Sequence, residues 1–304
     1  MHSNEELVSV VMGTYNGSLY VAEQIESIIN QTYSNLEIIL ADDASTDTTF
    51  DILKSYAEKD KRIIAYQRKE NAGYNINFSE ACSKATGAYI AISDQDDVWE
   101  LDKIEKQLKK IKEDPNNILV HCISARFEEK SQAHLSSIKK MNFFRGNDVK
   151  GFYLANYVLG HAMMFRKVLL EAALPFPPNV YYDWWLAAYA CTMGNIEFVD
   201  EILVWHRMHQ TNATGAAKPK VLFKDQTKLI LPTILSIKNI PVDDYEFGKE
   251  LLNRYEKFAG RFSWPVFWFL FKNAQVIFGH KKRMFPWFSY LKHSSRYARA
   301  SSLA

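Results

Sequence analysis

The first 115 residues alternate between two hydrophobic periods, and that alternation limits the possible folds more than any other property of the chain. "LVSVVM" (7–12), "LEIILA" (36–41), "RIIAYQ" (62–67) and "AYIAIS" (88–93) are apolar runs of strand length. Each is followed by a segment with helical spacing. "SLYVAEQIESIIN" places Val21, Ile25, Ile28 and Ile29 on one face, and Phe50, Leu53 and Ala57 share a stripe in the next. "NINFSEACSKA" and "WELDKIEKQLKKIKE" complete the series. Four strand–helix units in succession predict an α/β fold built on a doubly wound, mostly parallel sheet. Ligands of such sheets bind beyond the carboxyl ends of the strands. Three polar loops fall at that edge: "GTYNG" (13–17), "DDASTD" (42–47) and "DQDD" (94–97).

After Asp114-Pro115 the pattern loosens. "NILVHCIS" and "HAMMF" read as strands, "YDWWLAAYACTMG" as a helix ended by Gly194, and "IEFVDEILVWHRMH" as one or two strands. Beyond the small-residue stretch "TNATGAAKP" (211–219) the chain reads as helical. The expected organisation is one domain over 1–217, divided into halves at 1–115 and 116–217, then a helical region over 218–304. At 304 residues, 47% hydrophobic and 24% charged, the chain has the composition of an ordinary globular protein. Three widely spaced cysteines and an N-terminus without a basic start and long apolar run point to a cytoplasmic setting.

The loop "DQDD" sets the chemical question, because three carboxylates within four residues repel one another unless a cation, hydrogen bonds or open water relieve them. One Asp could cap a helix beginning near Trp99, which leaves two unexplained. There is no GxGxxG after the first strand and no GxxxxGK[ST], so a glycine-rich phosphate cradle is excluded. A bound diphosphate would then need a divalent cation held by carboxylates, with Asp94, Asp96 and Asp97 offering hard oxygen ligands.

Charge is uneven. The net charge is +2, but from Arg261 onward there are eight Lys/Arg, no Asp/Glu and twelve aromatic residues. The uncharged run from Phe262 to Phe271 is about half the length a spanning helix needs. An anionic membrane surface is therefore an expected partner, and nucleic acid is not. Trp264, Phe267, Trp268 and Phe271 share one helical face and could equally pack on the catalytic domain. The basic cluster Lys281-Lys282-Arg283, with Arg296 and Arg299, favours the membrane.

"VSVVMGTYNG", "LEIILADDASTDTT", "NAGYNINFSEACSKATGAYIAISDQDDVW", "LGHAMMF", "YDWWLA" and "WHRMHQTN" together resemble glycosyltransferase family 2 in order and spacing, over roughly residues 7–215. The resemblance implies a GT-A-like fold and an inverting, metal-dependent hexosyltransferase: a catalytic domain over 1–217, with a Rossmann-like nucleotide-sugar-binding half (1–115) and an acceptor half (116–217) that carries the base, then a helical, membrane-associating region (218–304). "DQDDVW" and "YDWW" are similar to bacterial rhamnosyltransferase-type members that build cell-surface polysaccharide such as lipopolysaccharide or capsule. It implies a nucleoside diphosphate sugar donor, dTDP-rhamnose or a UDP-sugar, and a lipid-linked glycan acceptor at the inner face of the cell membrane. The cofactor would be Mg²⁺ or Mn²⁺.

Residue by residue, the resemblance sets Thr14 and Tyr15 beside the nucleotide base, with Asp43, and Asp42 next to it, accepting from the pyrimidine ring. The alternative for the two aspartates is loop solvation, with Ser45 or Asp47 capping the next helix. Gly73 would shape the loop near the donor. Asp94 and Asp96 would face the donor, and Asp96, Asp97 and His209 the metal, with Arg207 adding charge at the diphosphate. Asp183 matches the catalytic base, or it is the N-cap of its helix, or both. Trp184 and Trp185 read as core. His209 could also be structural; His206 and His161 have weaker claims, although His161 could face the acceptor. The rival functions are a sugar-nucleotide nucleotidyltransferase, which needs a basic, glycine-rich early loop, and an inactive nucleotide-sugar-binding protein.

Overall fold

In the computed structural model, residues 5–128, 138, 143–209, 223–279 and 285–299 are described. The stretch 211–219, and the cluster Lys281-Lys282-Arg283, lie outside them. The chain runs β1 (Val8–Thr14), α1 (Val21–Ile29), β2 (Leu36–Asp42), α2 (Thr49–Ala57), β3 (Ile63–Gln67), α3 (Tyr74–Ser83), β4 (Tyr89–Ser93), β5 (Val98–Trp99), α4 (Lys103–Lys112), β6 (Asn117–Phe127), β7 (Met163–Arg166), α5 (Lys167–Ala173), α6 (Tyr182–Met193) and β8 (Asn195–Arg207). Five helices follow: α7 (Phe223–Leu235), α8 (Val242–Glu256), α9 (Trp264–Lys272), α10 (Ala274–Phe278) and α11 (Pro286–Tyr297).

One eight-stranded sheet has the order β3-β2-β1-β4-β7-β6-β8-β5. β1 to β4 are mutually parallel, as the alternating pattern requires, and β6 is parallel to β8. β7 runs antiparallel between β4 and β6, and β5 antiparallel to β8. Strand side chains alternate between two apolar layers. Val11, Ile39, Ile90, Ile92 and Phe165 face one, and Val10, Met12, Ile38, Leu40 and Met164 the other. Both faces are covered, which is why the strands read as continuous apolar runs. Val21, Ile25 and Ile28 of α1, Leu53 of α2 and Ile104, Leu108 and Ile111 of α4 fill the second layer.

The first layer is larger because the C-terminal helices join it. Ile230, Leu231, Leu251, Tyr255, Val266 and Leu270 belong to the same buried cluster as Phe152, Trp184 and Trp185. Both tryptophans are core: the Trp184 indole donates to Phe152 O at 2.6 Å and that of Trp185 to Ala173 O at 2.8 Å. The expected aromatic face of α9 divides. Phe267 is buried and Phe271 partly so, whereas Trp264 and Trp268 are 62% and 51% exposed. Among the described residues, no helix is long and apolar enough to cross a membrane.

Two local expectations fail. Trp99 does not open a helix; it sits in β5, α4 begins at Lys103, and no carboxylate of the "DQDD" loop caps it. Asp183 is not an N-cap, because Tyr181 takes that position and Asp183 lies inside the first turn of α6. "IEFVDEILVWHRMH" forms a single strand whose register against β6 shifts near Cys122 and Ile123.

Candidate active site

The parallel strands β1, β2 and β4 deliver the three polar loops to one edge, and the order 2-1-4 places the chain reversal between β1 and β4. That is where open α/β sheets form their ligand crevice. The loops are bound to one another. Thr14 Oγ1 donates to Asp42 Oδ1 at 2.8 Å; Asp42, fully buried, also accepts from Ser45 N, Ser45 Oγ and Gln67 Nε2. Asp43 is nearly as buried and accepts from the backbone N–H groups of Ala72 (3.0 Å) and Gly73 (2.8 Å), with Arg68 Nε 3.3 Å away. Gly73 has a φ of 84°, in the left-handed region, with open space where a side chain would stand. Asn16 and Ala44 also have positive φ, at 47° and 60°, in loops at the ends of β1 and β2. Such backbone is held only where its surroundings enforce it.

Gln95, the residue between Asp94 and Asp96, ties the third loop to the first. Its Oε1 accepts from Tyr15 N at 2.9 Å and its Nε2 donates to Tyr15 O at 3.1 Å. The Tyr15 side chain is left 46% exposed.

Each carboxylate of the third loop meets its own histidine. Asp94 Oδ2 lies 2.9 Å from His161 Nδ1, Asp97 Oδ1 2.9 Å from His206 Nδ1, and Asp96 Oδ2 2.8 Å from His209 Nε2. Strand pairing explains two of these contacts. In the antiparallel β5–β8 ladder Val98 faces Trp205, so the preceding Asp97 comes opposite His206 and Asp96 beside Arg207. Arg207 Nε donates to Asp96 O at 3.1 Å, and its guanidinium lies over the rings of Tyr20 and Phe127. His161 arrives because β7 is antiparallel to β4, so the residues before β7 lie at the carboxyl end of β4. His161 and His206 stack with centroids 4.9 Å apart.

Electrostatics are strained here. Burial and the charges of Asp94 and Asp97 hold the Asp96 carboxyl above its ordinary pKa, with His209 opposing them. Burial works against a charged His161, but Asp97, Asp94 and Asp96 outweigh it and lift its pKa to about 9. Asp97, His161 and His206 have ligand atoms all within 4.8 Å of one another, and Asp97 Oδ2 is buried without a hydrogen-bond partner among the described residues. An orphaned carboxylate oxygen beside two imidazoles fits a divalent cation.

Asp183 stands across from this corner, partly buried, accepting from Trp184 N at 2.7 Å. Burial is the main reason its pKa rises to about 6; the charge of Asp94 adds to the rise, while the Trp184 and Gly160 N–H groups and His161 oppose it. The reading from sequence missed Gln95 and Arg68 and underrated His161 and His206. The signal for the two histidines was the pairing of β7 and β8 with distant strands, which no local pattern carries.

The Glycosyl transferase family 2 model matches residues 9–172. The chain belongs to that family. TuaG of Bacillus subtilis, a glycosyltransferase assigned to teichuronic acid biosynthesis, is 41% identical over 103 residues, which is 34% of this chain and 41% of TuaG. The chain therefore spans well under half of that relative. Staphylococcus aureus TarS in complex with UDP-GlcNAc superposes with a TM-score of 0.63 at 16% identity, covering 89% of this chain and 81% of that one. The mannosyltransferase PcManGT of Pyrobaculum calidifontis, in complex with GDP-Man and Mn²⁺, gives 0.57 at 17% identity, covering 95% and 84%. At these identities the two structures establish the GT-A fold.

The raised pKa of Asp183 has a consequence for stability. The folded protein holds this proton between about pH 4 and 6 where the unfolded chain has released it, so the group's contribution to stability falls as pH rises through that window. Asp183→Asn keeps the Oδ1 acceptor and removes the buried charge. We expect it to stabilise the fold at pH 8 by on the order of 1–3 kcal/mol and to change little at pH 4, measured by urea unfolding.

Proposed function

We propose that the chain is an inverting, metal-dependent glycosyltransferase that moves a hexosyl unit from a nucleoside diphosphate sugar to a hydroxyl of a lipid-linked glycan. The observation that carries this reading is the cluster of Asp97, His161 and His206 at the carboxyl ends of the parallel strands, with the partly buried carboxyl of Asp183 close enough to feel the charges of Asp94 and His161. TuaG's assignment to teichuronic acid synthesis favours cell-surface polysaccharide as the product, and the ligands of TarS and PcManGT favour a nucleotide sugar as donor. The nucleotide would lie on the loops of Thr14, Tyr15, Asp42, Asp43 and Gly73, with Asp94 and Asp96 toward the sugar and diphosphate. dTDP-rhamnose or a UDP-sugar is the donor this reading favours.

Asp183 would take the proton of the acceptor hydroxyl as its oxygen forms a bond to the anomeric carbon and the bond from that carbon to the phosphate oxygen breaks. A single displacement of this kind inverts the anomeric configuration. Asp96 and Asp97, with His209, and with His206 and His161 beside Asp97, would hold a divalent cation. When bound, it neutralises charge on the departing diphosphate. Arg207 would act by fixing the Asp96 backbone, since its guanidinium is already engaged there and with Glu23. The test is Asp183→Asn with a nucleotide-sugar panel and NMR of the product. Donor affinity should persist while turnover falls by roughly 10²- to 10⁴-fold, and the wild-type rate should drop below about pH 6 as the base protonates. Near-normal transfer by the variant contradicts the assignment.

The same reading places the enzyme on an anionic membrane surface. In support, Trp264, Trp268, Phe285, Trp287 and Phe288 are each more than half exposed, and Arg261, Lys272, Lys292, Arg296 and Arg299 are exposed among them in sequence. Aromatic rings at headgroup depth with flanking cations suit such a surface. Truncation at Gly260 would remove Val266, Leu270 and Ile277, which are buried in the shared core, and so uncover the residues they pack on, which makes point variants the cleaner probe. Trp264→Ala/Trp268→Ala/Trp287→Ala/Phe288→Ala should lose co-sedimentation with phosphatidylglycerol vesicles, and wild-type binding should weaken with salt. Equal partitioning of variant and wild type contradicts the docking.

A further inference from the structure

Two tyrosines on the acceptor side of the crevice have no part in the chemistry above. Tyr74 opens α3 directly after Gly73, and Tyr181 caps α6 two residues before Asp183. They are 41% and 42% exposed. Their rings lie within 18° of parallel with centroids 6.0 Å apart. That separation exceeds a face-to-face contact, so the rings are offset and share one broad surface.

The pair is built, not incidental. Asn75, buried between them in the chain's path, donates from Nδ2 to Pro177 O at 2.7 Å and Val180 O at 2.8 Å. Its Oδ1 accepts from Tyr182 N at 2.9 Å. One side chain therefore fastens the start of α3 to the turn before α6 and fixes the backbone on which both tyrosines stand. The Tyr182 ring beneath packs on Phe78 with centroids 4.5 Å apart and on Phe176 at 6.1 Å, which stiffens the support. On one side the platform continues into Gly73, whose N–H binds Asp43; on the other it continues into Asp183. The negative charge of Asp183 reaches Tyr74 strongly enough to help burial and Tyr181 raise the pKa of its hydroxyl.

We propose that Tyr74 and Tyr181 form an acceptor subsite that receives the C–H face of a pyranose ring. This deepens the glycosyltransferase reading and rests on Asp183 lying at the acceptor hydroxyl. A pyranose has an apolar face of axial C–H groups and a rim of hydroxyls. An aromatic surface desolvates the former, while phenol groups at its edge leave the latter wet. Tyrosine supplies this area at small cost in side-chain entropy, because few torsions are ordered. A ring seated on the pair would lie between the donor-side loop and the carboxylate that takes its proton. The two tyrosines would then select acceptors by ring face and orient the reacting hydroxyl, acting as binding residues.

The test uses the full chain and methyl pyranosides of glucose, galactose, rhamnose and N-acetylglucosamine as probes, read by saturation-transfer difference NMR with UDP and Mn²⁺ present. At least one probe should bind wild type with strongest transfer to ring C–H protons. Tyr74→Ala and Tyr181→Ala should each weaken it about fivefold or more. Tyr74→Phe and Tyr181→Phe should stay within about twofold, since the ring face is kept. Matching thermal unfolding curves check that the variants are folded. No binding of any probe to wild type, unchanged binding in both alanine variants, or equal loss in the phenylalanine variants overturns the subsite. Slow hydrolysis of UDP-GlcNAc, GDP-mannose and dTDP-rhamnose by wild type is measured in parallel. Hydrolysis with tyrosine-independent binding refutes the platform alone; tyrosine-dependent binding without hydrolysis of any donor leaves the pair as a pyranose-binding surface but counts against the transferase reading and, with it, the acceptor role.

Discussion

Three aspartates at the end of β4 form the constraint around which the site is arranged. Carboxylates this close are tolerated because Asp94, Asp97 and Asp96 each face an imidazole, those of His161, His206 and His209. His161 stands in the turn just before β7, His206 in β8 and His209 two residues beyond it. The β7 and β8 part of the sheet therefore does more than extend the core; it carries imidazoles to the mouth of the parallel part. The balance is incomplete, since Asp96 is still held above its ordinary pKa and, among the described residues, Asp97 Oδ2 has no hydrogen-bond partner. A divalent cation would complete it, at the place where a donor's diphosphate needs neutralising.

The loops around that corner are stiffened by polar groups that would otherwise be free to meet a ligand. Asp42 is spent on Thr14, Ser45 and Gln67, and Asp43 on Ala72, Gly73 and Arg68. Gln95 hydrogen-bonds both backbone groups of Tyr15, so the loops after β1 and β4 are tied to each other. Preorganisation of this kind lowers the ordering cost that a bound nucleotide would otherwise meet.

Legibility in the sequence followed the range of the interactions. The four strand–helix units and their loops were readable because the parallel layers impose local periodicities, and Val11 against Val10 still alternates between the two cores. The "DQDD" loop stood out by its three clustered carboxylates, and Asp183 was singled out through the order of motifs. What could not be read was pairing across long separations: His161 meets Asp94 over 67 residues and His206 meets Asp97 over 109. The short strand Val98–Trp99 looked like the start of a helix because its two residues take their conformation from β8 and not from their own neighbours. The aromatic C-terminal part carried two signals at once, and the structure separates them, with Phe267 in the core and Trp264 and Trp268 outside.

The central claim is that the carboxylate–imidazole corner is a cation site. Calorimetric titration of Mn²⁺ in the presence of UDP tests it most directly, comparing wild type with Asp97→Asn and Asp96→Asn. The account predicts one site per chain in wild type and at least about tenfold weaker Mn²⁺ binding in each variant. Mn²⁺ affinity unchanged in both folded variants would contradict it.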